Sequence, residues 1–369
     1  MNWKNYGVLE RQNGKFGKML DSYKNKRVFI TGHTGFKGSW LCSLLDFLGA
    51  VQAGYSLKPY TLPSHFELLK SSNNSTIGDI ANIETLKRSI KHFEPEILFH
   101  LAAQPLVRES YKDPINTYQT NVMGTLNLLE CIRECPSIKA VVIITTDKVY
   151  ENKEWVYPYR ENDQLGGYDM YSSSKACTEI LVKSFQRSFF NEENYKDTHK
   201  VLIATARAGN VIGGGDWSTD RLIPDIIKAT IEKRVTKIRN PYAVRPWQHV
   251  LDCIYGYLLL GENLLKGKQE YANAWNFAPS SFESKTVKEV AEFAKLIWED
   301  ISVEFEKPKE NHHEANLLKL DNTKAISQLG WHPKWHTEKA IEETIGWYKK
   351  YYVYNQIDTY GQIEKYLSL

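Results

Sequence analysis

The chain has 369 residues, 47 Lys and Arg against 44 Asp and Glu, a formal charge of +3, and 42% hydrophobic and 12% aromatic residues. That composition excludes a disordered chain, and so small and evenly spread a charge excludes a basic nucleic-acid surface. There is no apolar run of membrane-spanning length, no signal-peptide core in the first residues and no disulfide or zinc pattern among five dispersed cysteines, so a cytoplasmic protein is expected, without nucleic acid, membrane or metal as partners.

Residues 1–24 are polar and without period, and read as an N-terminal arm, with order beginning at Lys26. Strand-length apolar runs then alternate with helical patterns: Arg27 to Thr31, helical Phe36 to Leu48, Val51 to Tyr55, a third strand before Gly78, Ile97 to Leu101, Val141 to Ile144 and Val201 to Thr205. The runs are apolar on consecutive residues, which suits strands covered on both faces and predicts an α/β fold with a doubly wound, Rossmann-type parallel sheet. After Arg207 the texture changes to Gly213-Gly214-Gly215, Pro224, Pro241 and Pro246, where a smaller C-terminal α/β domain is expected. Val250 to Leu265 again reads as a core helix and Trp275 to Ala278 as a strand. The expected division is therefore 25–208 plus about 247–282 for the first domain, and about 209–246 plus 283–369 for the second.

The first strand runs into Gly32-His33-Thr34-Gly35-Phe36-Lys37-Gly38 and then a helix. Glycines at that spacing let backbone N–H groups approach a pyrophosphate at a helix N-terminus, which makes Gly32, Thr34, Gly35, Phe36 and Gly38 candidates for binding a dinucleotide. The acidic residue expected at the end of the second strand, where it would accept from ribose hydroxyls, is replaced by Ser56, Leu57 and Lys58. Lys37 and Lys58 could tolerate a 2′-phosphate, so NAD is expected with NADP left open. Asp79, followed by Ile80, is either an acceptor near the adenine or a helix N-cap. Tyr171 and Lys175, at i and i+4 on a helical stretch reaching about Ser188, share a face. An adjacent ammonium favours a phenolate, so Tyr171 is read as a base for a hydroxyl proton. The fifth strand ends in Thr146-Asp147-Lys148, where Thr146 could bond the reacting hydroxyl and the other two add an acid and a base beyond what alcohol oxidation needs.

These motifs, together with Leu101-Ala102-Ala103-Gln104, resemble the extended short-chain dehydrogenase/reductase superfamily of nucleotide-sugar enzymes. Gly32 to Trp40, His100 to Arg108, Thr145 to Tyr150, Arg207 to Trp217 and Arg245 to Val250 are similar to the CDP-glucose 4,6-dehydratases within it, from about Lys26 to the C-terminus. The resemblance implies a redox-neutral dehydration of a CDP-sugar: C4 is oxidised, water is lost across C5 and C6, and the hydride returns at C6. It implies Tyr171 as C4 base, Lys175 on the nicotinamide ribose, Thr146 orienting substrate, Asp147 protonating the departing C6 hydroxyl and Lys148 assisting at C5. Leu101, Ala102 and Ala103 join the cofactor residues. The resemblance puts Asn210 and Arg245 at the diphosphate; Arg221 is either a further cation for it or an exposed helix-start charge, and His249, with Arg245, is a candidate for the nucleotide sugar. Gln104 and Arg108 could reach the sugar, with a surface ion pair to Glu109 or Asp113 as the alternative for Arg108.

An NDP-sugar 4-epimerase or a dehydratase for another nucleotide sugar is the competing enzyme, against which Asp147 and Lys148 argue. A catalytically dead cofactor sensor is opposed by intact Thr146, Tyr171 and Lys175. His312, His313 and Glu314 lack a further spaced metal ligand. Cys131 and Cys135 read as buried thiols, and Trp331 to Trp347 as a packed C-terminal helix with its approach loop. Helices at about 114–135 and 171–188 are expected to make a homodimer or homotetramer.

Overall fold

A computed structural model describes residues 20–69, 74–280, 283–306 and 317–369; the His312–Glu314 cluster and residues 1–19 of the expected arm lie outside them. The strands are β1 (Arg27–Thr31), β2 (Val51–Ser56), β3 (Asn74–Ile77), β4 (Ile97–His100), β5 (Ala140–Ile144), β6 (Leu202–Ala208), β7 (Val211–Ile212), β8 (Thr236–Ile238), β9 (Val244–Arg245), β10 (Gln248–His249), β11 (Ala274–Phe277), β12 (Lys285–Thr286) and β13 (Val303–Phe305). The helices are α1 (Phe36–Phe47), α2 (His65–Leu69), α3 (Ile83–Phe93), α4 (Val107–Lys112), α5 (Pro114–Tyr118), α6 (Gly124–Arg133), α7 (Met170–Phe189), α8 (Leu222–Ile231), α9 (Val250–Leu265), α10 (Val287–Ile297), α11 (Thr337–Tyr354) and α12 (Thr359–Leu367).

Seven strands form one sheet in the order β11-β6-β5-β4-β1-β2-β3, every neighbouring pair parallel. The chain runs outward from β1 to β3 on one side and continues from β4 on the other, so a crevice opens beyond the C-terminal ends of β1 and β4. The consecutive apolar residues divide between two cores as expected. Val28, Ile30, Ile97, Phe99, Val142 and Ala204 pack with α1 and α9. Phe29, Leu98, Val141, Ile143 and Ile203 pack with α3, α6 and α7. Helix α9 is buried almost all round, which is why its sequence is nearly uninterruptedly apolar and shows little amphipathic period.

One expectation changes. The chain is already packed at Leu20, and the Tyr23 hydroxyl donates to the Leu258 carbonyl at 2.7 Å, so a polar-looking stretch is docked on α9 before Lys26. Residues 337–367 bridge two layers: α11 packs on α10, Trp347 and Tyr348 lie in the core cluster of α1 and α9, and the His65 ring bonds Thr359 at 2.7 Å. Trp331, Trp335 and Trp347 are buried, as are Cys131 and Cys135. Among the described residues no helix is long and apolar enough to cross a membrane, and no group of three side chains could hold a metal ion.

Candidate active site

The turn from β1 into α1 admits only glycine at two points. Gly32 has φ +74°, and a Cβ there would lie 2.6 Å from the Ala102 amide nitrogen. A Cβ on Gly38 would overlap the Gly32 carbonyl, so the start of α1 is pressed against the strand end. No side chain caps α1, which leaves its first amides to an anion lying in the crevice. Leu101 and Ala102 donate their amides to Thr31, at 3.0 and 3.3 Å, which sets their backbone against Gly32. At the end of β2 the Thr34 hydroxyl bonds both Ser56 Oγ and the Leu57 carbonyl at 2.8 Å. This set fits the diphosphate and ribose of a dinucleotide.

Four expectations around that turn are corrected or refined. The Lys37 ammonium does not reach the end of β2: burial lowers its pKa, and the groups that act on it are Cys253, Arg221, Asp147 and Asp216 in the catalytic crevice. Gly35 is exposed and Phe36 half-buried. Asn82, not Asp79, caps α3; Asp79 accepts from the Ala81 amide at 2.9 Å in the preceding turn. The Ile80 side chain is in the core, beneath Gly124.

Beyond β5, the Thr146 hydroxyl donates to Asp147 Oδ1 at 2.9 Å and accepts from the Lys148 amide at 3.4 Å, closing a tight turn that buries Asp147 and leaves Lys148 half-buried. Asp147 has room only because residue 209 is glycine, since a Cβ there would overlap its carboxylate. Opposite stands α7, capped by Asp169, whose carboxylate accepts from the Ser172 amide at 2.9 Å. Buried Tyr171 and Lys175 face the strand ends from its first turns.

The electrostatics differ from the simple tyrosine–lysine pair. Burial pushes the Tyr171 phenol up to about 12; a hydrogen bond with Thr146 and the Arg221 guanidinium work against that, and Asp147 adds to it. Lys175 turns to the end of β5. Its ammonium donates to the Ile144 carbonyl at 3.3 Å, and burial first, then Lys37, lowers its pKa to about 8 against the pull of Glu179. Arg221 is no exposed helix-start charge: it pairs with buried Asp216 at 2.7 Å close to the phenol.

Three candidates for the sugar or diphosphate have partners within the protein. Gln104 spends its amide on Thr117 and the Leu106 N–H, at 2.9 and 2.6 Å. Arg108 makes an exposed pair with Asp220 at 2.6 Å. His249 is wholly buried between Trp40 and Trp335 and caps α9 by accepting from the Leu251 amide at 3.2 Å. His249→Ala is therefore expected to cost about 3 kcal/mol of stability through a cavity and a lost cap, read by chemical denaturation, while KM stays unchanged. Asn210, just past the end of β6, is held at φ +44°, and Arg245 on β9 is half-buried.

Sequence reasoning passed over two groups that shape the site. Asn121 lies in a π-helical turn between α5 and α6, a distortion common at functional sites. It accepts from the Gln104 amide at 2.8 Å and donates to Ser174 Oγ at 2.9 Å, locking α7 to the loop after β4. Glu179 continues the Tyr171, Lys175 spacing by one more turn, a signal that was available in the sequence.

The sequence profile of the family described as GDP-mannose 4,6 dehydratase matches residues 29–344. A CDP-glucose 4,6-dehydratase of Salmonella typhimurium is 49% identical over 90% of this chain and 93% of its own. Among solved structures, an epimerase of Methanothermobacter thermautotrophicus superposes with TM-score 0.78 at 22% identity, covering 94% of this chain and 96% of its own. A dTDP-glucose 4,6-dehydratase of Bacillus anthracis in complex with NAD gives 0.71 at 22% identity, covering 89% and 98%. The two structures establish the shared fold.

Proposed function

The chain belongs to the GDP-mannose 4,6-dehydratase family, and from that premise we propose that it is an NAD-dependent 4,6-dehydratase converting CDP-glucose to CDP-4-keto-6-deoxyglucose and water. The observation that carries this reading is two chemistries meeting at one strand end: Thr146, which acts on the buried Tyr171 phenol of the oxidation site, donates its hydroxyl to Asp147 Oδ1 at 2.9 Å, an acid that simple oxidation has no use for. The choice of cytidine over other bases is supported by the 49% identical relative.

The glycine turn and the uncapped start of α1 would hold the dinucleotide diphosphate, Thr34 and Ser56 its adenine ribose, and Lys175 its nicotinamide ribose. When bound, the cofactor accepts hydride from C4, returns it at C6 and brings a positive ring that favours the Tyr171 phenolate. Tyr171 takes the proton of the C4 hydroxyl, whose oxygen Thr146 orients. The resulting ketone acidifies the C5 proton, which Lys148 removes as Asp147 delivers a proton to the departing C6 hydroxyl, and which Lys148 gives back to C5 once hydride has returned at C6. Arg221, Arg245 and Asn210 meet the sugar-nucleotide diphosphate.

Incubation with CDP-glucose, dTDP-glucose, UDP-glucose and GDP-mannose, followed by NMR, tests the reading. A 4-keto-6-deoxy product from CDP-glucose without net loss of NAD is expected; a C4 epimer, or preference for another nucleotide, contradicts it. The same reading includes a homodimer or larger assembly through α5, α6 and α7, supported by exposed Ile115, Met123 and Ile180 on those helices and the turn joining them.

A further inference from the structure

Tyr171, Lys175 and Glu179 follow one another at single-turn intervals on α7, but only the first two have a task in the proposed reaction. Glu179 is buried with all its acceptor sites used. Its Oε1 accepts from Thr145 Oγ1 at 2.5 Å and Arg207 Nε at 2.9 Å, and its Oε2 from Thr205 Oγ1 at 2.7 Å and Arg207 Nη2 at 2.9 Å. Arg207 then reaches the Tyr150 hydroxyl at 2.7 Å, and Tyr150 donates to Asn276 on β11 at 2.8 Å.

One buried, bidentate ion pair thus ties α7 to β5 at the residue before Thr146, to β6 two residues before Gly209, and to the turn that follows Asp147. These are the pieces that carry the oxidation site and the acid. A core of this size has no need of a buried charge pair for stability, since packed apolar side chains of similar volume serve as well. Its value lies in fixing direction and register.

We propose that Glu179, clamped by Arg207, is a positioning residue that keeps the Lys175 ammonium charged and holds α7 in register with the Thr145–Thr146 strand end. The proposal rests on the dehydratase reading for its kinetic arm only. The groups facing Lys175 are Lys37 from α1, His100 from β4, the Ile144 carbonyl from β5 and Glu179 on its own helix. Among these, Glu179 alone carries negative charge. Glu179→Gln removes that charge and leaves the Arg207 cation uncompensated, and both changes favour loss of the Lys175 proton.

Competitive labelling of lysines with acetic anhydride across a pH series, resolved by peptide mass spectrometry, reads the Lys175 pKa without any substrate. Glu179→Gln is expected to move it to lower pH and Glu179→Asp, which keeps the charge, to leave it near the wild-type value; equal values in all three proteins overturn the proposal. In the kinetic arm, Glu179→Gln is expected to lower kcat about tenfold or more, with KM for CDP-glucose within about twofold and the alkaline limb shifted to lower pH. Glu179→Asp is expected to lower kcat with the limb in place, and remains the test if the glutamine variant does not fold. An unshifted limb in a folded Glu179→Gln protein, or wild-type kcat in both variants, overturns it. A wild-type protein that ignores CDP-glucose refutes the dehydratase reading, and the labelling result then decides the clamp alone.

Discussion

Tyr171→Phe is expected to lower turnover of CDP-glucose by about 10²–10⁴-fold, the range lost with a positioned general base, while the fold and substrate binding persist. The substitution removes one oxygen from a buried site and leaves the ring in place. No neighbour can replace that oxygen. The Thr146 hydroxyl already donates to Asp147, and the Lys175 ammonium donates to the Ile144 carbonyl and offers no lone pair while charged. The phenol is pushed up to about 12 by its burial, so its use as a base depends on positive charge gathered around it, from Arg221 and the bound cofactor ring. A Tyr171→Phe protein retaining more than about a tenth of wild-type kcat, where loss of a positioned base costs at least about a hundredfold, would show that the C4 proton leaves by another route.

Gly209→Ala is expected to reproduce the defect of Asp147→Asn, a fall in product formation of about 10²–10³-fold, within the range for loss of a catalytic acid. The argument is spatial. The added methyl would overlap the Asp147 carboxylate, and the loop that carries residue 209 cannot yield. The Gly209 carbonyl accepts from Gln248 Nε2 at 3.1 Å and the Asn210 carbonyl from the Gln248 amide at 3.3 Å, which pins the loop. Asp147 is held in a short turn closed by Thr146. The carboxylate must therefore swing out of reach of C6. If so, the double variant loses little beyond either single one, because both remove the same interaction. Losses that multiply, or a nearly active Gly209→Ala protein, would place the acid elsewhere.

Much of this architecture could be read from sequence because its signals are local. Consecutive apolar residues announced a sheet covered on both faces, the glycine turn announced the crevice, and Val250 to Leu265 announced a helix that coincides with α9. Tyr171 and Lys175 were placed on one helix face by spacing alone. The errors share a different cause, the direction of a long or polar side chain. Lys37 could point along β2 or across the sheet end, and the choice is made by the packing of α1. His249 and Gln104 carry groups that suit a sugar, yet the backbone amides beside them compete for the same lone pairs and win. The sign of the shift at Tyr171 was misjudged because burial outweighs the cations around it: Lys175, the nearest in sequence, turns to the Ile144 carbonyl, and Arg221, fifty residues on, offsets only part of the burial. Glu179 was missed because its meaning depends on Arg207 and Thr145, which only the fold brings to it.

The most direct test of the account follows a label through a single turnover. CDP-glucose carrying deuterium at C4 is converted by the pure protein with unlabelled NAD, and the product is read by NMR. Deuterium on C6 of a 4-keto-6-deoxy sugar is the predicted result, because the hydrogen removed beside Tyr171 must return where Asp147 has released the hydroxyl. Deuterium retained at C4 of an epimerised sugar would contradict it.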